Sequence, residues 1–306
     1  MRPVRTLGAV MALVAALATG CGGGTDSSDE TRSGANRPVT VQAANGAVTI
    51  PAKPERIVSL APVHTETLFA IGAGPQVVAV DDYSDHPAEA PRTKLSGFKP
   101  NAEAVIEYKP DLVIVSDDLN GIVKALEKVK IPVLLEPAAN NLEEAYDEIR
   151  DLGLATGHSA EAEKLVAEMK SSIEKTVAET PKAKGLTYFH ELDNELYTVT
   201  SKTFVGQIYG MFGLRNVADE AEGANSGYPR LSREYLLKQD PDLIFLADTK
   251  CCGQNAETVA KRPGWSDLTA VKNGAVIELD DAVSSRWGPR LPEFVKEIGA
   301  AVQKVQ

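Results

Sequence analysis

Glu103-Ala-Val-Ile-Glu-Tyr-Lys-Pro110-Asp111-Leu-Val-Ile-Val115 returns in the second half of the chain as Glu234-Tyr-Leu-Leu-Lys-Gln-Asp-Pro241-Asp242-Leu-Ile-Phe-Leu246, with Glu, Pro, Asp and Leu in register. Each copy is preceded by a polar residue suited to cap a helix, Asn101 or Ser232. A short amphipathic helix follows, a proline stops it, and an apolar strand begins at once. Two helix-Pro-Asp-strand units, one per half, predict two similar α/β lobes with a ligand between them rather than one continuous sheet.

Working outward from the first copy, strands and helices alternate. Strands are predicted at Arg56–Ala61, Val77–Asp81, Thr93–Ser96, Asp111–Ser116 and Ile131–Leu135, and helices at Thr65–Gly72, Asn101–Tyr108, Leu119–Lys128 and Asn141–Leu154. That βαβ series predicts a mostly parallel sheet covered by helices. Around the second copy the pattern places strands at Leu186–His190, Leu196–Val199, Asp242–Ala247 and Ala275–Leu279. Helices are predicted there at Thr203–Phe212, Ser232–Lys238 and Arg290–Val305, with the longest irregular stretch at Asp219–Arg230. Between the halves, Ser159–Thr180 carries Ala160, Leu165, Val166, Met169, Ile173 and Val177 on one side and charges on the other. A helix of that length spans roughly 30 Å, about one domain diameter, and is expected to join the lobes as a strut. The expected divisions are an N-terminal lobe at 39–156, the connecting helix at 157–182 and a C-terminal lobe at 183–306.

The first residues concern location. Arg2 and Arg5 precede an apolar run from Leu7 to Ala18, and the small residues Thr19 and Gly20 stand before Cys21. That is the layout of a secretory signal over residues 1–20, and the run is too short to span a membrane. The polar, glycine-rich stretch over residues 21–38 lacks the composition of a core and suits a flexible tether. Removing residues 1–20, which hold two arginines and no acid, takes the net charge from −11 to −13. Such a charge disfavours nucleic acid and adhesion to anionic lipid as partners. The remaining cysteines, Cys251 and Cys252, are adjacent and form neither a disulfide framework nor a CxxC metal knuckle. A bridge between them, or a free dithiol, is what an exported pair without other partners can form.

Several stretches together resemble a known family. Arg56-Ile-Val-Ser-Leu-Ala-Pro-Val-His-Thr-Glu66, Tyr83-Ser-Asp-His-Pro87, Pro110-Asp-Leu-Val-Ile114 and Pro241-Asp-Leu-Ile-Phe245 are similar, in order and spacing, to the iron-chelate and cobalamin solute-binding proteins of ABC importers. The similarity covers nearly all of residues 40–306. Leu17-Ala-Thr-Gly-Cys21 resembles a bacterial lipobox, which implies a lipid on Cys21 and anchoring on the extracytoplasmic face of the cell membrane. The resemblance implies two Rossmann-like lobes joined by one long helix, a monomer that does no chemistry, and delivery of a metal chelate to an ABC permease dimer and its ATPase. It also implies that Glu103 and Glu234 dock onto arginines of the two permease subunits. The bland alternative is that each carboxylate only favours its helix dipole.

In parallel sheets ligands approach the carboxyl ends of strands, so the loops there are the expected cleft walls. Candidate ligand contacts are Tyr83, His64, Asp85, His86, Phe98, His190, Glu191, Arg286 and Trp287. Tyr83 stands where cobalamin-binding relatives have a tyrosine against the corrin, and Phe98 where they have tryptophan. A turn tyrosine sealing a strand end is the plainer reading of Tyr83, and Arg286-Trp287 has a simpler role capping the last helix. The ligand order is a corrinoid, then a ferric siderophore, then haem. A free Zn or Mn site built from His64, His86, His190 and Glu191 is the structural competitor. No separate cofactor or resident metal is expected. A secreted hydrolase is the remote alternative, since no GxSxG, phosphate loop or HExxH is present.

Overall fold

The computed structural model describes residues Pro38–Val305. The expectations for the leader, the lipidated Cys21 and nearly all of the tether lie outside them. The described chain opens with an antiparallel hairpin, β1 (Val39–Ala43) and β2 (Gly46–Ile50). The N-terminal lobe then follows as β3 (Ile57–Ser59), α1 (Pro62–Ala70), β4 (Val77–Asp81), β5 (Arg92–Leu95), α2 (Ala102–Ile106), β6 (Leu112–Val115), α3 (Ile122–Glu127), β7 (Val133–Leu135) and α4 (Leu142–Thr156). After the long α5 (Ser159–Glu179) come β8 (Thr187–Glu191), α6 (Phe204–Met211), β9 (Arg215–Asn216), α7 (Arg233–Gln239), β10 (Leu243–Leu246), α8 (Thr249–Cys252), α9 (Ala256–Ala260), α10 (Thr269–Lys272), β11 (Val276–Glu278), α11 (Asp281–Ser285) and α12 (Leu291–Val305).

Two parallel sheets result, one per lobe, ordered β5-β4-β3-β6-β7 and β11-β10-β8-β9. The α/β class expected from the alternation is what the chain adopts. The repeat explains how each sheet is set. Asn101 accepts the amide of Ala104 and Ser232 that of Tyr235, so each short helix is capped by the residue the pattern named. Lys109 and Asp240 then turn the chain with φ of 49° and 43°, immediately before Pro110 and Pro241. Asp111 accepts the backbone amides of Glu55 and Arg56 at 2.9 and 3.0 Å, and Asp242 accepts the amide and hydroxyl of Thr187 at 2.8 and 2.9 Å. The proline ends the helix, and the aspartate pins the entry of the neighbouring strand, β3 or β8.

Strands β6 and β10 are buried on both faces, as expected for parallel sheets under two helical layers. In the N-terminal lobe Val58, Val113, Val115 and Val133 face α2 and α3, whereas Ile57, Leu112, Ile114 and Leu134 face the other way. The second face belongs to a core that continues through α4 and α5 into the C-terminal lobe. Helix α5 buries Ala162, Val166, Met169 and Ile173 and packs between α4 and α12. Burying each larger side chain stabilises by about 1.5–3 kcal/mol. At the α4–α5 crossing a Cβ on Gly153 would stand 2.4 Å from that of Ala162, so the helices meet as closely as they do only because glycine is there.

One expected strand is not present. Leu196–Val199 contributes only an isolated bridge, Tyr197 to Arg230, because the edge of the sheet beside β8 is taken by the two-residue β9.

Candidate functional site

The carboxyl ends of β3 and β4 are tied by a chain of hydroxyls. Thr65 bonds to Ser59 and Ser84 at 2.9 Å each, and Ser84 donates to the buried carboxylate of Asp81. Burial raises the Asp81 carboxyl above its ordinary range, against its hydrogen bonds. Arg92 holds the carbonyl of Asp82 through Nε and Nη2 at 3.0 and 2.7 Å, and Asp81 receives the amide of Tyr83 at 3.3 Å. The backbone of this turn is therefore fixed while the Tyr83 ring projects outward, 56% exposed. Phe98, on the loop after β5, is 68% exposed and meets Tyr83 edge to face with centroids 5.3 Å apart. Two large rings held rigid in solvent are costly unless something apolar covers them. Tyr83 and Phe98 thus stand together at the strand ends, where the sequence placed them.

Across from them the lobes are gripped by ions. Glu66, on α1, is buried and receives Arg286 at 2.6 Å and Arg290 at 2.6 and 2.8 Å, both from the segment before α12. Arg286 also reaches Asp85 at 3.3 Å and the carbonyl of Tyr83 at 3.4 Å. Trp287 donates its indole N–H to Glu148 at 2.7 Å, and His64 Nε2 lies 3.6 Å from the same carboxylate. On the other side Gln207 of α6 donates to the carbonyl of Asn140, in the loop after β7, at 2.8 Å. These contacts fix how the sheets face: the loop after β11 meets those after β3 and β4, and the α6–β9 edge meets the loop after β7. Arg286 and Trp287, expected as ligand contacts, are instead committed to the opposite lobe.

The C-terminal wall carries a pair of aromatics that the sequence reading passed over. Tyr197 and Tyr228, on loops after β8 and β9, are exposed, and Arg230 lies over the Tyr197 ring at 5.8 Å. Tyr228 shares a hollow with Lys202, Asn225 and the Ala138–Asn140 segment of the other lobe. For Tyr228 the available signal was the long irregular stretch itself, which offers no strand or helix to bury it; Tyr197 was hidden by its placement in the expected strand Leu196–Val199.

His190 and Glu191 are corrected by burial. His190 is fully buried at the end of β8, with Nδ1 2.8 Å from the Tyr209 hydroxyl, and burial pushes its pKa down to about 3, so it stays neutral. Glu191 is held bidentately by Arg262 at 2.6 Å for both bonds, and the guanidinium lies 4.5 Å from the Trp265 ring centroid. His64 is likewise buried, whereas His86 is exposed beside Pro87, Pro289 and Arg290. The four side chains considered for a free metal are therefore not brought together. No group of three or more His, Cys, Asp or Glu arranged to hold a metal occurs among the described residues.

Two buried carboxyls have oxygens that no donor other than a second carboxyl reaches. Glu136, just after β7, is pushed up to about 8 by burial and by the charges of Asp151 and Glu148. Asp248, just after β10, is pushed up to about 7 by burial and by Glu191, against the pull of Arg262. Beyond Asp248, Cys251 and Cys252 are joined as a vicinal disulfide on exposed α8. Glu103 and Glu234 lie exposed in the first turns of α2 and α7, and Glu234 pairs with Arg233 at 3.5 Å. No helix among the described residues is long and apolar enough to cross a membrane.

Comparison with known proteins agrees with this architecture. The periplasmic binding protein family matches residues 57–283. The chain is 32% identical to the uncharacterized ABC transporter substrate-binding lipoprotein YvrC of Bacillus subtilis, over 96% of this chain and 95% of that one. It is 30% identical to a cobalamin-binding protein of Halobacterium salinarum, over 84% of this chain and 72% of that one. Among solved structures, a protein of Staphylococcus epidermidis described as a possible iron-binding, periplasmic solute-binding protein superposes with a TM-score of 0.70 at 27% identity, covering 82% of this chain and 99% of that one.

Proposed function

Since the chain belongs to the periplasmic binding protein family, whose members bind solutes rather than catalyse reactions, we propose that it captures a cobalamin-type corrinoid and delivers it to an ABC permease. The observation that carries this reading is the Tyr83–Phe98 pair, two exposed rings in edge-to-face contact, of which Tyr83 stands on a turn held by Asp81 and Arg92. The face of a corrin macrocycle covers such rings and recovers the area they expose, while its peripheral amides meet polar groups. Tyr197 and Tyr228 supply aromatic area on the facing lobe. Asp85 and His86, both exposed next to Tyr83, are the polar contacts.

A ferric siderophore is the second reading, and haem the third. The exposed polar groups beside Tyr83 are Asp82, Asp85 and His86; of the arginines at this turn, Arg286 is already paired with Glu66 and Asp85, and Arg92 is held on the Asp82 carbonyl. An anionic siderophore would find little free positive charge there. The partners in this reading are a permease dimer with its ATPase, met through Glu103 on one lobe and Glu234 on the other. A lipid on Cys21 holds the monomer on the extracytoplasmic face.

Titrating cyanocobalamin into the protein is expected to quench tryptophan fluorescence, and Tyr83→Ala to weaken binding by about 1–3 kcal/mol, typical of truncating an aromatic anchor. Absence of binding at micromolar cyanocobalamin, with binding of a ferric siderophore under the same conditions, overturns the corrinoid assignment.

A further inference from the structure

The ligand reading leaves one chemically reactive group unused. Cys251 and Cys252 are bonded to each other, with Cα atoms 3.8 Å apart, and both are exposed to solvent. They are the only cysteines among the described residues. Their helix, α8, is not free to move by itself. The carboxylate of Asp281 accepts the backbone amides of Thr249, Lys250 and Cys251 at 2.9, 3.0 and 2.8 Å, and the Thr249 hydroxyl at 2.9 Å. Lys250 adds an ion pair to the neighbouring Asp280.

Asp281 is also the first residue of α11, and Arg286 is the residue that directly follows that helix as its cap. The disulfide turn and the cross-lobe grip on Glu66, Asp85 and Tyr83 thus sit at opposite ends of one short helix. From the other side Gln254 reaches the carbonyl of Cys252 at 3.5 Å and is itself held by Arg262 at 2.6 Å. The turn therefore touches two charged networks, and the Asp281 route leads directly to the interface between lobes.

We infer that Cys251–Cys252 is a thiol–disulfide exchange site open to small dithiol reductants, and that its state sets how firmly Arg286 grips the N-terminal lobe. A bond between neighbouring cysteines closes a small ring through the joining peptide and limits the conformations that peptide can take. Opening the ring returns rotation to the peptide and both side chains. The Cys251 amide is one of the groups that Asp281 holds, so freedom there loosens the start of α11.

The exchange is a two-electron reduction. A thiolate of the reductant attacks one cysteine sulfur, the Sγ–Sγ bond breaks, and the other cysteine leaves as a thiolate that takes a proton from water. The second thiolate of the reductant then displaces the mixed disulfide, and the released cysteine is protonated in turn. Both cysteines end as thiols and the reductant as its own disulfide. Exposure of the pair permits the attack, which a buried bridge would refuse. Weaker chelate capture by the reduced form follows if the proposed function holds, and that consequence alone rests on it.

The test uses the full chain carrying Cys21→Ser, in which only the pair can titrate. Air-purified protein is expected to show no reactive thiol, and two after dithiothreitol. Backbone hydrogen exchange across residues 281–290 is then expected to quicken on reduction. The variant Cys251→Ser/Cys252→Ser is expected to exchange like the reduced protein and to ignore dithiothreitol. Reactive thiols before reduction, none after it, or unchanged exchange in a fully reduced protein each overturn the inference. With the reductant removed, cyanocobalamin affinity is expected to fall about fivefold or more, in the range of ordinary coupling between sites. If the oxidised protein fails to bind cyanocobalamin, the corrinoid reading fails, and the exchange measurement still decides this one.

Discussion

The two lobes agree at the amino ends of their strands and part company at the carboxyl ends. At the amino ends, Asp111 and Asp242 perform the same task, each fastening the start of the central strand beside its own. At the carboxyl ends, Glu66 reaches across to Arg286 and Arg290 of the other lobe, while Glu191 turns inward to Arg262 of its own. The duplicated text therefore describes scaffold. The cleft is built differently on each side, from residues the repeat does not contain.

The sharpest way to break that comparison is to neutralise the two glutamates. Glu66→Gln takes the bonded carboxylate from Arg290 and leaves Arg286 with Asp85 alone, and Glu191→Gln takes it from Arg262; breaking a buried pair costs about 3–5 kcal/mol. Both melting temperatures are expected to drop. Hydrogen exchange separates the variants: Glu66→Gln is expected to loosen residues 286–290 on the opposite lobe, and Glu191→Gln only its own. Loosening across the lobes by Glu191→Gln would remove the distinction.

The shared task is tested by a smaller loss. Asp111→Ala removes the acceptor of two backbone amides and Asp242→Ala that of one amide and one hydroxyl, each at a strand entry, and each is expected to cost about 1–3 kcal/mol in denaturant unfolding. Similar values support one device used twice. A loss confined to one lobe would reduce the repeat to a likeness of letters.

How much of this was legible follows from where the information lies. Pro110, Asp111 and their counterparts act on neighbours in sequence, so caps, helix ends and strand starts could be read directly. The first hairpin was legible too, in the alternation around Asn45-Gly46, although the reading began later, at Arg56. The grip of Glu66 on Arg290 joins residues 224 positions apart, and no local pattern announces it. The same holds for the histidines. A histidine after a strand looks alike in text whether it faces the cleft or, like His190, lies beneath Tyr209. Burial is decided by the second layer of structure, which the sequence shows only as hydrophobic periodicity. Tyr83 and Phe98 were singled out by the family resemblance, on loops after parallel strands, whose positions are predictable even when their contacts are not.

A gentler comparison is between the two buried acids that no cation bonds, one per lobe. Glu136 and Asp248 have folded-state values raised to about 8 and about 7 from ordinary values of 4.5 and 3.8. For a raised carboxyl the folded protein binds more protons than the unfolded one between the two values. Stability is then full below the ordinary value and is lost as pH rises through the raised one, at up to about 1.4 kcal/mol per pH unit and group. Glu136→Gln is expected to flatten the decline up to about pH 8, and Asp248→Asn only up to about pH 7. Denaturant midpoints measured from pH 4 to 9 check this; a wild-type midpoint that rises over the range contradicts it.

The smallest structural effect is expected at Glu103 and Glu234, exposed in equivalent first turns. Reversing both to Lys is expected to leave melting temperature and ligand affinity nearly unchanged while abolishing uptake in cells. Normal uptake would leave the helix dipole as their whole role.

The packing of α5 carries a mechanical consequence. A rod bolted to a plate at each end bends like a leaf spring; it does not swing like a door. Helix α5 is bolted in that way, with its apolar side buried between α4 and α12 along a core the lobes share. Large-angle closure would tear that seam open, so the jaws stand nearly at their final spacing before any guest arrives. A guest then spends little of its binding energy on assembling its own seat, and the affinity measured is close to that of the seat itself. What the transporter feels as the difference between a full and an empty carrier must accordingly be small in amplitude and spread over both lobes at once.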